Sequence, residues 1–218
     1  MIQIEANAIL FDLDGVLIDS TVCISRHWQQ WAQKHDLNLA EIMRVAHGRR
    51  TVETMRLVAP HLPAEEEARH FAAIEAIDTE GVVPIEGAAK LLNQLPVDVW
   101  AIVTSGTKDV AASRLQSANL PMPGVFVTAD DVRNGKPDPE PYLLAAKALD
   151  VLPGKCVVIE DAPAGIEAAH SAGMQAIAIT TTHTGRDFEK EQVVVVDCLS
   201  QLEIRENKNG YRLVIEIT

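Results

Sequence analysis

The chain has 218 residues, enough for one hydrophobic core of ordinary size and a smaller accessory unit. Acidic residues outnumber basic ones by 31 to 19, and the formal net charge of −12 argues against a protein that binds nucleic acid or an anionic membrane by bulk attraction. Hydrophobic residues make up 47% of the chain, as in ordinary globular proteins. A small anionic substrate remains compatible with this charge if a local cation attracts it.

Three cysteines occur far apart, at Cys23, Cys156 and Cys198, and form no Cys-x-x-Cys pair. This usage is typical of reduced thiols, so we expect a cytoplasmic protein. The first residues include Glu5 and no basic stretch, unlike a signal peptide. No apolar run approaches the ~20 residues that cross a bilayer, so we expect no membrane attachment. Since no association motif is evident, we expect a monomer.

Six apolar runs along the chain predict strands. They lie at 8–13, 98–104, 124–129, 155–161, 174–180 and 192–197. The runs are rich in Val and Ile without polar alternation, a pattern typical of strands that are covered on both faces. Helical spacing of apolar residues separates the later runs, at 86–95, 108–118, 140–149 and 163–173. The alternation predicts a doubly wound α/β fold with a parallel sheet.

The segment from Ser20 to about Val83 breaks this alternation because it carries only helical patterns, at 20–35, 38–47, 51–59 and 63–77. It follows the first strand, and α/β proteins bind ligands at the carboxyl ends of their strands. We therefore predict a catalytic core of residues 1–16 and 84–218, and an all-helical cap of residues 17–83. Hinges near 16–20 and 81–87 should let this cap open and close.

The C-terminal stretch carries a turn signal between two apolar segments. Asn209-Gly210 is a strong hairpin dipeptide. We expect a structural β-hairpin at the edge of the sheet.

Two aspartates, Asp12 and Asp14, follow the first strand and precede Gly15. Residues i and i+2 of a strand face the same side, so both carboxylates can reach one small space. Their repulsion favours either a bound cation or one carboxyl that stays protonated and acts as a general acid. Asp-x-Asp-Gly is also compatible with a simple turn.

Three further strand ends carry polar groups of complementary chemistry. They are the hydroxyl and amide groups of Thr104, Ser105 and Gly106, the ammonium of Lys136, and the carboxylates of Glu160 and Asp161. Each alone is compatible with an ordinary helix start, but the carboxyl ends of parallel strands share one edge. Hard oxygen ligands without a His or Cys cluster favour Mg²⁺. A carboxylate nucleophile beside a lysine and an anion cradle predicts phosphoryl transfer.

Four motifs carry a family resemblance in their order and spacing. "FDLDGVLIDS", "VTSG", "GKPDPEPY" and "VVIEDAPAGI" resemble those of the haloacid dehalogenase superfamily, over residues 8–197. Within it, the chain looks like the members with a helical cap after the first strand. Together with "HGRRT" at 47–51, it is most similar to sugar and polyol phosphatases, such as the 2-deoxyglucose-6-phosphate and glycerol-3-phosphate phosphatases.

The resemblance implies a Mg²⁺-dependent phosphatase that acts on small sugar or polyol phosphates through an aspartyl-phosphate. Asp12 would be the nucleophile and a metal ligand. Asp14 would be the general acid and base, with its backbone carbonyl facing the metal. The resemblance further implies that Thr104 and the amides of Ser105 and Gly106 bind phosphate. Lys136 would bridge Asp12 and the phosphate, and Arg50 would contact the substrate. Asp161 would ligate the metal, and Glu160 would do so directly or through water.

Two departures from the family pattern keep an alternative open. Val16 follows the glycine where phosphatases often have Thr, and "DGV" also occurs in phosphomutases of the β-phosphoglucomutase type. Arg49 and Arg50 are adjacent, and two cap cations could form the second phosphate site of a mutase. Asp14 argues against dehalogenation, whose halide needs no proton donor. A binding module without activity is the non-enzyme alternative, and it predicts the loss of an active-site residue.

Overall fold

The computed structural model describes residues 2–191, 193–206 and 213–217. The strands are β1 (Ile2–Ala6), β2 (Ala8–Phe11), β3 (Ile18–Asp19), β4 (Val83–Pro84), β5 (Trp100–Val103), β6 (Val125–Val127), β7 (Cys156–Glu160), β8 (Gln175–Ile179), β9 (Val194–Val196), β10 (Leu202–Glu206) and β11 (Leu213–Ile217). The helices are α1 (Thr21–Lys34), α2 (Leu39–Ala46), α3 (Thr51–Val58), α4 (Ala64–Ile77), α5 (Ala88–Gln94), α6 (Lys108–Ser117), α7 (Glu140–Ala148) and α8 (Pro163–Ser171). Within these ranges, no helix has the length and apolarity that a membrane span requires.

Six strands form the predicted parallel sheet, in the order β6-β5-β2-β7-β8-β9. Helices cover both faces, since Phe11 packs in one apolar cluster with residues of α5 and α6, while Leu10 packs in another with residues of α7 and α8. The sheet is thus buried on both sides, which explains why its strands lack polar alternation. Strand β2 is central, so the residues after it lie between those that follow β5 and β7.

The four helices α1–α4 lie between two short strands, β3 and β4, which pair antiparallel with each other. They have a hydrophobic cluster of their own that includes Trp28, Met55 and Phe71. The paired strands bring the two connections between these helices and the sheet side by side. We call α1–α4 the cap helices.

The N-terminal strand β1 is absent from the sequence-based prediction. It pairs with β11, which also pairs with β10, so that three antiparallel strands form a second sheet in the order β1-β11-β10. Ile4 and Ile215 of this sheet lie in the apolar cluster on the Phe11 face of the parallel sheet. The two strands predicted in the C-terminal stretch exist and pair with each other. The prediction that they lie at the edge of the parallel sheet was wrong, because their apolar side chains cover one face of that sheet instead. The turn at 207–210 lies outside the described residues.

Candidate active site

The carboxyl edge of the parallel sheet brings the predicted site residues together. Asp12 follows β2, Thr104 follows β5, and Asp161 follows β7, and these three strands are neighbours. Over this edge lies a cavity of about 80 Å³. The core lines it with residues that include Asp12, Asp14, Thr104, Ser105, Gly106 and Asp161, and the cap helices and their loops with Trp28, His47, Arg49 and Glu75.

Lys136 is buried beside Asp12, and its side chain is only 1% exposed. Its Nζ donates hydrogen bonds to Oδ1 of Asp12 at 2.5 Å and to Oε1 of Glu160 at 2.8 Å. A third bond of 3.0 Å goes to the carbonyl oxygen of Val103, at the end of β5. The ammonium therefore has two carboxylate partners, as a fully buried charge requires.

Glu160 is fixed by four hydrogen-bond donors. Its Oε1 accepts from Lys136 and from the Tyr142 hydroxyl at 3.0 Å, and its Oε2 accepts from the backbone N–H groups of Asp161 at 2.8 Å and Ala162 at 3.0 Å. A Cβ on Gly165 would lie 1.8 Å from Oε1, so the glycine after the "EDAPA" stretch makes room for this carboxylate.

Burial and like charge shift the carboxyl groups of the site in different directions. Burial raises the pKa of Asp12 to about 7, although Lys136 acts against this shift. The pKa of Asp161 is raised well above its usual range by burial and by the charges of Glu160 and Asp12. Lys136 and the backbone donors overcome burial at Glu160 and lower its pKa. Asp12 and Asp161 are therefore the two carboxyl groups that a further cation would stabilise in their ionised form.

Asp12, Glu160 and Asp161 could hold a metal ion, since each offers a carboxylate oxygen within 4.8 Å of the others. When ionised, three carboxylates against the one ammonium of Lys136 give a net charge of −2 (3 − 1 = 2). This charge and the all-oxygen donor set fit a hard divalent cation such as Mg²⁺. Glu160 fits less well than the two aspartates because its oxygens already accept four hydrogen bonds.

Asp161 is held in place from the loop that follows β8. Thr182 donates a hydrogen bond from its hydroxyl to Oδ2 of Asp161, and Nδ1 of His183 lies 3.0 Å from the carbonyl oxygen of Asp161. A Cβ on Gly15 would lie 2.1 Å from Oδ2 of Asp161, and the φ of Gly15 is +84°. Gly15 is therefore required both for its left-handed backbone and for the close approach of Asp161.

Asp14 has partners different from those of Asp12. Its Oδ1 accepts a hydrogen bond of 2.6 Å from the Ser20 hydroxyl and one of 2.8 Å from Arg114 on α6. The Asp14 side chain is 20% exposed, against 7% for Asp12. Asp14 thus lines the same cavity as Asp12 with a side chain that is more exposed and has different partners.

The loop after β5 makes contacts within itself and with the cap. The hydroxyl oxygen of Thr104 accepts a hydrogen bond of 3.1 Å from the Gly106 N–H, so this amide has a partner inside the loop. The Ser105 hydroxyl donates a bond of 2.8 Å to the carbonyl oxygen of Gly48, in the loop between α2 and α3. The loop lies on the cavity, and its contact with phosphate stays a prediction.

The two adjacent arginines of the cap have different surroundings. Arg50 is the residue before α3, and its guanidinium pairs with Glu53 at 2.5 Å. It also donates to the backbone carbonyl oxygens of Val132 and Arg133, at 3.1 and 2.7 Å. Arg49, not Arg50, lies on the cavity beside Asp12. Arg50 is therefore not among the residues that line this cavity, and its contact with the substrate stays a prediction.

Several residues that line the cavity or contact its carboxylates were not predicted from the sequence. Glu75 and Arg114 lie on two different helices and meet only in the folded chain, through a hydrogen bond of 2.6 Å. Tyr142 stands in the "GKPDPEPY" motif, but its contact with Glu160 depends on the packing of α7 against the sheet. Thr182 follows a predicted strand, and this place at the carboxyl edge is the signal that could have found it.

Several known proteins are similar to this chain in sequence. Residues 9–179 match the model of the haloacid dehalogenase-like hydrolase family. The chain is 40% identical to hexitol phosphatase A of Escherichia coli (strain K12) over 211 residues, 92% of this chain and 95% of the relative. It is 38% identical to glycerol-1-phosphate phosphohydrolase 2 of Saccharomyces cerevisiae over 203 residues, 88% of this chain and 81% of the relative.

A solved structure is also similar to this chain in its fold. The crystal structure of a hydrolase from Pseudomonas syringae superposes with a TM-score of 0.73 at 28% identity, over 87% of this chain and 92% of that one. The resemblance drawn from the four motifs and the predicted fold class are thereby confirmed. The chain belongs to the haloacid dehalogenase-like hydrolase family.

Proposed function

We propose that the protein is a Mg²⁺-dependent phosphatase that hydrolyses small sugar or polyol phosphates. The observation that carries the proposal is that Asp12 and Asp14 line one cavity, while Nζ of Lys136 donates a hydrogen bond to Asp12. The names of the two relatives, a hexitol phosphatase and a glycerol-1-phosphate phosphohydrolase, support the reaction and the substrate class.

In the proposed reaction, a carboxylate oxygen of Asp12 forms a bond to phosphorus while the bond from phosphorus to the sugar oxygen breaks. The proton of the Asp14 carboxyl moves to that oxygen, so that a neutral alcohol leaves. The Asp14 carboxylate then takes a proton from water, whose oxygen attacks phosphorus and releases inorganic phosphate from Asp12. Thr104, the amides of Ser105 and Gly106, and Lys136 would bind the oxygens of the transferring group.

Asp12, Asp161 and the backbone carbonyl of Asp14 would hold Mg²⁺, with Glu160 directly or through water. When bound, the ion would offset the negative charge of the carboxylates and the phosphate. The ion would also keep Asp12 ionised, because burial raises the pKa of this carboxyl in the absence of metal to about 7.

The sugar part of the substrate would lie against the cap side of the cavity. Trp28, His47 and Arg49 line this side. Trp31, the other tryptophan of α1, instead donates a hydrogen bond from its indole N–H to Glu67. Arg49 rather than Arg50 is the cation that we assign to the substrate. The cavity of about 80 Å³ is well below the roughly 300–1,000 Å³ of typical ligand pockets, which supports an opening movement of the cap helices to admit a sugar phosphate.

The wider organisation is proposed on the same grounds. Residues 17–83 form the mobile cap, and residues 1–16 and 84–218 form the catalytic core. The pairing of β3 with β4 supports hinges at these two connections. The free cysteines Cys23, Cys156 and Cys198 support a cytoplasmic protein, and a monomer is the simplest state for a site built from one chain.

The test is phosphate release from a panel of hexitol, glycerol, hexose and pentose phosphates with Mg²⁺, by wild type and by Asp12→Asn. We expect turnover by wild type only, with hexitol and glycerol phosphates among the best substrates, and loss of turnover with a chelator. Absence of release from every substrate would contradict the proposal. The pairing of Arg50 with Glu53 argues against a second phosphate site formed by Arg49 and Arg50, which a phosphomutase would need. Isomerisation of a sugar 1-phosphate, primed by a trace of bisphosphate, would restore that alternative.

A further inference from the structure

A buried arginine of the core bridges two carboxyl groups from distant parts of the chain. Nη1 of Arg114, on α6, donates a hydrogen bond of 2.8 Å to Oδ1 of Asp14. Its Nη2 donates one of 2.6 Å to Oε1 of Glu75, on the cap helix α4. The exposed fractions of the two partner side chains are small, 3% for Arg114 and 9% for Glu75. One guanidinium thus joins the predicted general acid to the cap.

The bridge also fixes which oxygen of Asp14 is free. Oδ1 accepts from both Arg114 and the Ser20 hydroxyl, at 2.8 and 2.6 Å. An oxygen that already accepts two hydrogen bonds, one of them from a cation, has little capacity for a further partner. Oδ2 is therefore the oxygen that can meet the leaving group, and the two donors to Oδ1 set the direction in which Oδ2 points.

Stability alone does not account for this arginine. Its Nε is buried and has no hydrogen-bond partner within the described part of the chain. A buried ion pair is often no more stabilising than apolar residues of similar volume, and an unsatisfied donor adds a further cost. A residue with this cost, placed in direct contact with Asp14, is better explained by the reaction than by packing.

We infer that Arg114 is a positioning residue, which orients Asp14 for proton transfer and, through Glu75, makes this orientation depend on the docking of α4 against α6. The inference rests on the proposed function, because it takes Asp14 as the general acid. Helix α4 packs directly on α6, so the Asp14–Arg114–Glu75 bridge lies within a direct contact between a cap helix and a core helix. Opening of the cap would separate Glu75 from Arg114 and release one of the two restraints on the guanidinium.

The test compares leaving groups. An alkyl phosphate such as glycerol 1-phosphate needs a proton on its leaving oxygen, whereas 2,4-dinitrophenyl phosphate has a leaving group that departs without one. The value of kcat/KM reports the steps up to phosphorylation of the enzyme for both substrates. A fault in the orientation of Asp14 therefore lowers kcat/KM for the alkyl phosphate and spares the aryl phosphate, while a general loss of structure lowers both.

We expect Arg114→Gln to lower kcat/KM for glycerol 1-phosphate about tenfold more than for 2,4-dinitrophenyl phosphate, which is part of the roughly 10²–10⁴-fold that general acid catalysis contributes. Glu75→Gln keeps the arginine and is expected to change the ratio in the same direction by a smaller factor. It also serves as the second variant if Arg114→Gln does not fold. Arg26→Gln is the matched control, because Arg26 pairs with Asp78 at 2.8 Å in the cap and makes no contact with Asp14.

The outcomes separate the inference from the proposed function. Equal losses on both substrates in Arg114→Gln, or the same ratio change in Arg26→Gln, would overturn the positioning role. An unchanged ratio in Glu75→Gln would overturn the link to the cap. Wild type that hydrolyses neither substrate would contradict the proposed function itself.

Discussion

The hydroxyl of Ser105 donates a hydrogen bond of 2.8 Å to the carbonyl oxygen of Gly48, and this contact joins the core to the cap above the cavity. Ser105 belongs to the loop that we assign to phosphate, and Gly48 directly precedes Arg49. The bond therefore links the core loop after β5 to the cap loop before α3. In the proposed opening of the cap, this bond would break.

Gly48→Ala should weaken this closure. The φ of Gly48 is +74°, and a Cβ there would lie 2.8 Å from the Cβ of Ala162, which directly follows Asp161. The added methyl group pushes the cap loop away from the core, so we expect KM for the best sugar phosphate to rise several-fold, with a smaller change in kcat.

Gly173→Ala provides the control for backbone strain. Its φ is also +74°, but a Cβ there has no atom within 4 Å. Both variants carry the cost of a left-handed backbone, about 1–2 kcal/mol, and only Gly48→Ala meets the core. Equal KM values in the two variants would show that the contact with Ala162 does not matter.

Gly165→Ala should disable the site through Glu160. A Cβ at this position would lie 1.8 Å from the oxygen that accepts from Lys136, so the carboxylate has to leave its place. We expect turnover to fall by more than about tenfold, with a loss of about 1–3 kcal/mol in the free energy of unfolding from overpacking. Gly154→Ala is the comparison, since its backbone is not left-handed and a Cβ there would lie at an ordinary 3.8 Å from the carbonyl oxygen of Gly173. Wild-type turnover in Gly165→Ala would mean that Glu160 need not stay beside Lys136.

Mg²⁺ should stabilise the folded protein in a way that depends on Asp161. An ion that binds only the native state raises the melting temperature as its concentration exceeds Kd. We expect this rise in wild type, its loss in Asp161→Asn, and its persistence in Asp14→Asn, where only a side chain outside the proposed donor set changes. The measurement is a thermal melt with and without Mg²⁺, and it does not require turnover. A Mg²⁺ response in Asp161→Asn equal to that of wild type would remove this residue from the metal site.

The pH dependence of stability should report on Glu67 in the cap. Its carboxylate accepts from Nε1 of Trp31 at 2.9 Å and Nζ of Lys34 at 3.1 Å, and Nε2 of His35 lies 2.8 Å away. Burial alone would raise its pKa, but these bonds together lower the pKa from 4.5 to about 2. Because the folded-state pKa is the lower one, the carboxylate stabilises the fold above pH 4.5, and this contribution is lost as the pH falls toward 2.

Glu67→Gln should therefore have a melting temperature that changes less than that of wild type between about pH 5 and pH 2. Thermal melts across this range, monitored by circular dichroism, measure the difference. Glu66→Gln changes the exposed neighbour on the same helix and should follow wild type. Parallel curves for Glu67→Gln and wild type would contradict the lowered pKa.

Much of the fold could be predicted because it depends on local patterns. The Val- and Ile-rich runs form strands that are covered on both faces, so they do not alternate with polar residues. Each could therefore be predicted as a strand from its composition. Asp12, Thr104 and Asp161 were visible as a group because each directly follows such a run. Parallel strands place their carboxyl ends together whatever the packing details.

The remaining features depend on packing between distant segments. Arg114 and Glu75 would each be typical of a solvated helix face, and only the docking of α4 on α6 buries them as a pair. Arg49 and Arg50 are neighbours whose directions depend on how α3 begins, where Arg50 pairs with Glu53. Strand β1 was missed because its partner, β11, lies at the other end of the described chain.

The pairing of Ile2 with Ile217 has a consequence for the order of folding. Strand β2 can find its parallel neighbours β5 and β7 while the ribosome is still adding residues, but β1 has no partner until β11 emerges. Since β11 is the middle strand of its sheet, β10 also waits for it. The nascent chain thus carries an unpaired N-terminal strand next to an assembling core. We therefore expect closure of the small sheet to follow assembly of the parallel sheet, and it covers one face of that core.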